Sequence, residues 1–327
     1  MGSFLDKPIT EKDTECGEGT IGGHSIRFGV SGMQGWRVEM EDAHAHVIGE
    51  VKTGENPGGA TDLGFFGVFD GHGGSMVSRY SSEKLLCRIS SLAAFKAAVA
   101  GGGSFDNAKI QEALEEGFIA LDAEMKQLPA VMAGQDHSGS TAVTCFITPT
   151  HIIVGNCGDS RLVVARSGSA VFGSEDHKPT MDSEKTRIYN AGGTVSMGRV
   201  NGDLAVSRAL GDFVYKQCAD MPAASQQVSA FPEVTILERT DEDQFVVLAC
   251  DGIWDVMNNQ ECVDIILGYM NTGYSLERSC EMLIDECLNR GSRDNMSVCI
   301  VALPAAPATI GTWGPPPSEE APPEPAQ

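Results

Sequence analysis

The stretch LGFFGVFDGHGG at residues 63–74 joins an apolar run to a carboxylate that is followed by glycines. Its first seven residues have the length and the aromatic content of a buried strand, and Asp70 stands at the end of that strand. A second apolar run, Phe245–Cys250, leads directly into Asp251 and Gly252. A carboxylate at the end of a hydrophobic strand is partly desolvated, which is unfavourable unless it is paired or bound to a metal. The two stretches therefore predict buried strands whose ends carry acidic side chains.

Further carboxylates lie next to other predicted strands. They are Asp294 before the run at 298–303, Asp159 in the turn at 156–161, and Glu41 and Asp42 before the run at 43–48. Hard oxygen ligands without cysteine favour Mg²⁺ or Mn²⁺ over zinc. Glycine after an aspartate lets the backbone approach a ligand and can expose its carbonyl to a cation. A single Asp-Gly pair is typical of a tight turn, but two that close buried strands, with the other carboxylates, predict a metal site.

The order of the predicted elements indicates the fold class. Short β-rich runs occupy residues 26–30, 43–48, 63–69, 143–147, 151–155, 161–165, 245–250 and 298–303, and helical spacing occupies residues 76–95, 107–125, 182–190 and 275–288. Thr148-Pro149-Thr150 predicts a hairpin turn. Because the strands come in runs and do not alternate with helices, the pattern favours an α+β fold, in which a central β-sandwich of two antiparallel sheets is flanked by α-helices.

Two terminal segments are predicted to lie outside the domain at residues 24–303. Residues 1–23 are expected to form a flexible lead-in, because no strand precedes Gly17-x-Gly19-x-x-Gly22, which matches only the spacing of a dinucleotide fingerprint. Residues 304–327 contain eight of the fifteen prolines. Proline removes backbone donors and fixes φ, so this segment is expected to be a disordered tail.

Charge and composition exclude several classes of protein. The chain has 23 basic and 45 acidic residues, a net charge of −22, which excludes non-specific binding to nucleic acid and a polybasic membrane anchor. No apolar stretch approaches the ~20 residues of a transmembrane segment. Without an export signal or a C-x-x-C pair, we expect a reducing compartment, the cytoplasm with the nucleus left open. Gly2 raises the question of N-myristoylation, although Asp6 stands where the pattern has Ser or Thr.

Eight motifs, in this order, resemble the metal-dependent protein phosphatases of type 2C. They are RVEMED (37–42), FDGH (69–72), SGSTA (138–142), NCGDSR (156–161), DHKP (176–179), AVSRALGD (205–212), CDGIWD (250–255) and GSRDNMS (291–297). They cover residues 24–303. The opening residues 2–8 also resemble animal cytosolic members of this family, some of which are myristoylated.

The resemblance implies the fold just described, with a dinuclear Mg²⁺ or Mn²⁺ centre between the sheet edges and a weaker third metal. The implied ligands are Asp70, which bridges both ions, the Gly71 carbonyl, Asp251 and Asp294, with Glu41 and Asp42 acting largely through metal-bound water and Asp159 at the third metal. The implied reaction is hydrolysis of phosphoserine and phosphothreonine in proteins by a hydroxide that bridges the two metals, without a covalent intermediate.

The resemblance also implies roles for three cationic side chains and a monomeric state. Arg37 would clamp the phosphate in a fork geometry, and His72 would protonate the departing Ser or Thr oxygen. Arg199, in the segment 176–212 that corresponds to a flap beside the active site, would help to bind substrate.

Alternative interpretations remain open at this point. One is a pseudophosphatase scaffold without turnover, and another is a hydrolase of small phosphate esters. Cys287-x5-Arg293 fits the spacing of a cysteine-dependent phosphatase, but Glu286 replaces the expected histidine and the cysteine falls in a helical segment. His44 and His46 share one face of a strand, as zinc ligands do, but we expect an exposed pair without a metal.

Overall fold

Two antiparallel β-sheets lie face to face in the computed structural model, which describes residues 4–51, 60–101 and 104–311. The strands are β1 (Phe4–Ile21), β2 (His24–Arg37), β3 (Ala43–Val51), β4 (Ala60–Phe69), β5 (Gly71–His72), β6 (Gly139–Ser140), β7 (Ala142–Ile147), β8 (His151–Cys157), β9 (Arg161–Arg166), β10 (Ser169–Gly173), β11 (Val195–Ser196), β12 (Arg199–Val200), β13 (Leu210–Gly211), β14 (Glu233–Glu238), β15 (Asp243–Ala249) and β16 (Met296–Ala302). The helices are α1 (Met76–Ser91), α2 (Ala93–Val99), α3 (Asn107–Met125), α4 (Pro129–Met132), α5 (Asp182–Asn190), α6 (Asp251–Trp254), α7 (Asn259–Asn271) and α8 (Leu276–Asn289).

The larger sheet has the strand order β1-β2-β16-β15-β9-β10, and the second has the order β14-β8-β7-β4-β3. Every neighbouring pair in both sheets is antiparallel. The hairpin predicted at Thr148-Pro149-Thr150 joins β7 to β8, with Ile147 opposite Ile152. The predicted α+β sandwich is therefore confirmed. No helix in the described ranges is long and apolar enough to cross a bilayer.

Three apolar layers hold the sandwich together. Phe66 and Val68 of β4 face the larger sheet, whereas Phe65 and Phe69 of the same strand pack under α1 and α3. On the other side, Val247 of β15 belongs to the cluster that α7 and α8 cover. Because both faces of these strands are buried, their sequences read as continuous apolar runs without alternation. Full burial of each such side chain contributes about 1.5–3 kcal/mol.

The sheet topology brings the acidic strand ends together. Ala249, at the end of β15, pairs with Val298, near the start of β16. Since adjacent antiparallel strands run in opposite directions, the residue after one and the residue before the other lie at the same edge. This places Asp251 and Asp294 side by side, facing the end of β4 and Asp70.

The prediction of a flexible lead-in is wrong for residues 4–21, which form β1 and pair with β2 along their length. Two polar side chains of β1 contact α8 and not the core: Lys12 binds Asp285 at 2.6 Å, and the Thr14 hydroxyl donates to Glu281. The strand therefore lacks the apolar alternation that would have marked it. Gly2 lies outside the described residues.

Two other boundaries differ from the predictions. The helix predicted over residues 76–95 breaks at Leu92, whose backbone is extended, so that α1 and α2 are separate. The predicted tail is wrong in its first residues, because Ile310 is buried in the same cluster as Met270. Residues 312–327 lie outside the described part, and the domain limits at 24 and 303 stay predictions.

Candidate metal centre

Three aspartates from different strand ends converge between the two sheets. Asp70 follows β4, Asp159 follows β8 and Asp251 follows β15, and one carboxylate oxygen from each lies within 4.8 Å of the others. Asp159 is buried, while Asp70 and Asp251 keep partly exposed side chains. The arrangement offers a set of hard oxygen donors that is open on one side, as a site for Mg²⁺ or Mn²⁺ requires.

The negative charges of these aspartates repel one another. Burial raises the pKa of Asp70 well above its ordinary range, and repulsion from Asp251 and Asp42 adds to the rise. Burial likewise raises the pKa of Asp251, with repulsion from Asp159 and Asp294 as further causes. A divalent cation would relieve both effects, because it compensates lost hydration and neutralises the repulsion.

Asp42 supplies a second sign that the residues fit a cation. One of its oxygens accepts a hydrogen bond from the Ser297 hydroxyl at 2.7 Å, but Oδ1 is buried and has no partner among the described residues. Burial raises the pKa of Asp42 to about 6. Asp42 also forms a possible ligand group with Asp70 and Cys250. Burial raises the pKa of the Cys250 thiol, and its Sγ donates to the carbonyl of Asn295.

A single amide side chain holds the loop before β3 against the start of β16. Asn295 Nδ2 donates to the carbonyls of Gln34 and Glu39, at 2.9 and 3.0 Å, and Asn295 Oδ1 accepts from the Glu41 amide at 2.9 Å. The Glu41 carboxylate accepts a hydrogen bond from the Gly74 amide. Glu41 is therefore fixed beside the turn that follows Asp70.

Gly71 is required by close packing at this turn. A Cβ atom at position 71 would collide with the backbone carbonyl of Glu41 and crowd the Ser78 hydroxyl. Its backbone thus approaches Glu41 more closely than any other residue would allow.

Arg37, at the end of β2, lies next to the cluster. Its Nη2 donates to Asp294 Oδ2 at 2.5 Å, and its buried Nε has no partner in the described ranges. Burial lowers the pKa of Arg37, but the carboxylates of Asp294, Asp251 and Asp70 together raise it by more. The guanidinium therefore stays charged and keeps donors free for an anion.

His72 forms an ion pair that sequence reasoning missed. Its Nε2 lies 2.7 Å from Oδ2 of Asp212, which is buried. Burial lowers the pKa of His72, but the charge and hydrogen bond of Asp212 outweigh this, and the pKa lies above its ordinary value. The pair needs Gly139, because a Cβ at that position would collide with both side chains.

Lys178 also contacts the cluster without having been predicted. Its ammonium group forms a salt bridge with Asp159, and Asp159 raises the pKa of Lys178 against the opposing effect of burial. Its neighbour His177 is buried and accepts a hydrogen bond from the Gly158 amide, so it fixes the turn that carries Asp159. Both residues belong to the motif DHKP, which gave no sign of these partners.

The structure does not bring Arg199 to the cluster. Arg199 is exposed on the hairpin of β11 and β12, and it donates to the carbonyl of Asp203 at 2.5 Å. In the described ranges, Arg199 forms no hydrogen bond or ion pair with Asp70, Asp159 or Asp251. Its predicted contact with substrate stays a prediction.

Residues 26–296 match the family described as Protein phosphatase 2C. The chain belongs to this family. Rat Protein phosphatase 1B is 47% identical over 310 residues, which are 94% of this chain and 77% of that protein. Human Protein phosphatase 1A is 47% identical over 308 residues, which are 94% of this chain and 77% of that protein. The match to bovine Protein phosphatase 1B spans 62% of that longer protein.

Solved structures agree with this assignment to the protein phosphatase 2C family. A crystal structure of a phosphatase from a pathogenic strain of Toxoplasma gondii has a TM-score of 0.72 at 25% identity, over 90% of this chain and 96% of that one. As a protein phosphatase 2C, the chain is a metal-dependent protein-serine/threonine phosphatase. The segment that matches the family contains every predicted site residue, from Arg37 to Asp294.

Proposed function

We propose that this phosphatase hydrolyses phosphoserine and phosphothreonine in proteins with two divalent cations, Mg²⁺ or Mn²⁺. The observation that carries the proposal is the convergence of buried, mutually repelling aspartates around a space where a divalent cation would offset their repulsion. The residues that would hold the ions are Asp70, the Gly71 carbonyl, Asp251 and Asp294, with Glu41 and Asp42 acting through bound water. When bound, the ions supply an activated water and neutralise charge on the phosphoryl oxygens.

Arg37 is placed to orient the phosphate. The guanidinium has five donors in a planar fork, and the contact with Asp294 uses one side of it. The Nη donors that Asp294 leaves free can bind phosphoryl oxygens. Asp294 thus fixes the side chain before substrate arrives, which reduces the rotamer entropy that is lost on binding.

His72 is suited to give a proton to the departing serine or threonine oxygen. Asp212 raises the pKa of His72, so a larger share of the imidazole is protonated near neutral pH. The same carboxylate holds the ring in one orientation. Such a general acid contributes typically 10²–10⁴-fold to a rate, and most where the leaving group is a poor one.

Asp159 is proposed to bind a weaker third cation together with Asp251. The salt bridge with Lys178 opposes this, because the ammonium already neutralises Asp159. A cation at this position must therefore displace Lys178, whose side chain is partly exposed and can move away. This competition is a physical reason for the third cation to bind less tightly than the other two.

Two alternative functions are weaker. A pseudophosphatase would lack turnover, but the acidic cluster, Arg37 and His72 are all assembled here. A hydrolase of small phosphate esters would use the same centre, and the relatives named protein phosphatases favour protein substrates. We also propose a cytoplasmic location, which the ten free cysteines support.

The test is phosphate release from a phosphothreonine peptide by the full chain, with Mn²⁺, with Mg²⁺ and with EDTA. We expect turnover with either ion and none with EDTA. Asp251→Asn should reduce kcat strongly, whereas Asp264→Asn, an exposed carboxylate on α7, is the matched control. A folded wild-type protein without turnover in either ion would refute the enzyme and favour a scaffold. Equal kcat/KM on a small phosphate ester would refute the preference for proteins.

A further inference from the structure

A second group of metal-binding side chains lies where the two sheets meet at their open edges. β1 is an edge strand of the larger sheet, and β3 is an edge strand of the smaller one. His44, His46 and Ile48 share the face of β3 that is directed towards β1, where a Cβ on Gly19 would touch Ile48. Glu15 lies on the same face of β1 as Gly19. The expectation of an exposed histidine pair is therefore not met, since both imidazoles are half-buried against β1.

The distances in this group suit a small cation. His46 Nε2 lies 3.4 Å from one oxygen of Glu15, and His44 Nε2 lies 3.8 Å from the other. One ligand atom from each of the three residues lies within 4.8 Å of the others. Zinc–ligand bonds of about 2.0–2.1 Å in tetrahedral geometry put neighbouring ligand atoms about 3.3–3.4 Å apart. The spacing is long for direct hydrogen bonds but close to that of ligands around one ion.

The rings are held in place and available as ligands. His46 packs on the ring of Phe28 at 4.4 Å between centroids, and the His44 and His46 planes lie within 16° of each other. Burial lowers the pKa of His46, which favours the neutral imidazole that binds metals. The buried Nδ1 of His46 makes no hydrogen bond within the described residues, so no donor there forces Nε2 to carry the proton.

A cavity gives access to this group. It has a volume of about 570 Å³ and is lined by Glu15, His44, His46, Glu83 and Cys87, among others. Solvent can therefore complete the coordination of an ion held by three protein ligands. The donor set, two imidazoles and one carboxylate, differs from the all-oxygen set around Asp70, and imidazole favours zinc-like ions over Mg²⁺.

We propose that Glu15, His44 and His46 bind one Zn²⁺, or a similar transition-metal ion, and thereby fasten β1 to β3 across the edge of the sandwich. The site is separate from the acidic cluster and does not depend on the catalytic proposal. Its consequence is a link between the amino-terminal strand and the second sheet, with which β1 forms no strand pairing in the described ranges.

The test is zinc titration of the full chain by calorimetry in excess Mg²⁺, with the wild type, His46→Asn, Glu15→Gln and the control His24→Asn, which removes the exposed histidine that begins β2. Zinc that enters the acidic cluster does so in all four proteins, so the difference between them isolates the new site. We expect one more zinc equivalent in the wild type and His24→Asn than in the other two variants. Co²⁺ should give the absorption bands of a nitrogen-ligated site in the same two proteins only.

Thermal unfolding supplies an independent readout. Zinc should raise the melting temperature of the wild type and His24→Asn, and by less in Glu15→Gln, because a ligand that binds only the folded state stabilises it. Should His46→Asn fail to fold, Glu15→Gln decides alone, since this side chain is half exposed. Equal zinc stoichiometry and equal thermal shifts in the wild type and Glu15→Gln would overturn the proposal and leave Glu15 as an ion-pair partner of the histidines.

Discussion

Replacing Asp42 by asparagine should make the chelated protein more stable at neutral pH while weakening its metal binding. Asp42 is buried, its Oδ1 has no partner among the described residues, and its pKa is raised to about 6, chiefly by burial. Asparagine has nearly the same shape and can still accept the hydrogen bond from Ser297. The substitution therefore removes a buried charge with little change in packing.

The size of the effect follows from the shift in pKa. The rise from 3.8 to about 6 corresponds to about 3 kcal/mol at 1.36 kcal/mol per unit. A carboxyl with a raised pKa binds its proton more tightly in the folded state than in the unfolded one. Its contribution to the free energy of unfolding is therefore lost as the pH rises from about 4 through about 6. Above that range, Asp42→Asn should gain up to about 3 kcal/mol over the wild type.

The assay is urea unfolding in EDTA at several pH values between 4 and 7.5. The difference in unfolding free energy between Asp42→Asn and the wild type should grow with pH, and the control Asp241→Asn, an exposed loop carboxylate, should show no such trend. In saturating Mg²⁺ the wild type should be the more stable of the two proteins, because only the wild type is fully stabilised by the bound ion. A difference that stays constant over this range would refute the assignment of a charge penalty to Asp42.

Two further substitutions test other buried pairs. Asp212→Asn removes a charge-assisted hydrogen bond worth about 1.5–3 kcal/mol, so the apparent pKa of the basic limb in the pH profile of kcat should fall by about 1–2 units. The control Asp203→Asn should leave this pKa unchanged. An unchanged pKa in Asp212→Asn would exclude His72 as the acid. Lys216→Met leaves the buried Asp122 carboxylate, which Lys216 binds at 2.8 Å, without its partner. The free energy of unfolding in urea at pH 7.5 should fall by about 3–5 kcal/mol. A fall of less than 1 kcal/mol would contradict this prediction.

The strand ends show how far sequence reasoning reaches. Asp70 and Asp251 were predictable because each directly follows an apolar run, and antiparallel pairing then brings such ends together. β1 was missed because its polar side chains contact α8 and β3 and leave no apolar alternation to detect. The partners Asp212 and Lys178 were missed for another reason: the pair of His72 and Asp212 joins residues 140 apart, and no local pattern encodes such a contact.

The amide of Asn295 has a consequence for the order of assembly. It reaches the Glu41 backbone across 254 residues of chain, and β16, which begins next to it, pairs with β2. Closing so long a loop is entropically unfavourable until the strands between are already in place. The phosphatase centre thus depends on contacts between residues far apart in the sequence, and a chain still lacking its final strand lacks the pairing that holds Asp294 beside Asp251. Metal affinity therefore reports completed folding of both sheets.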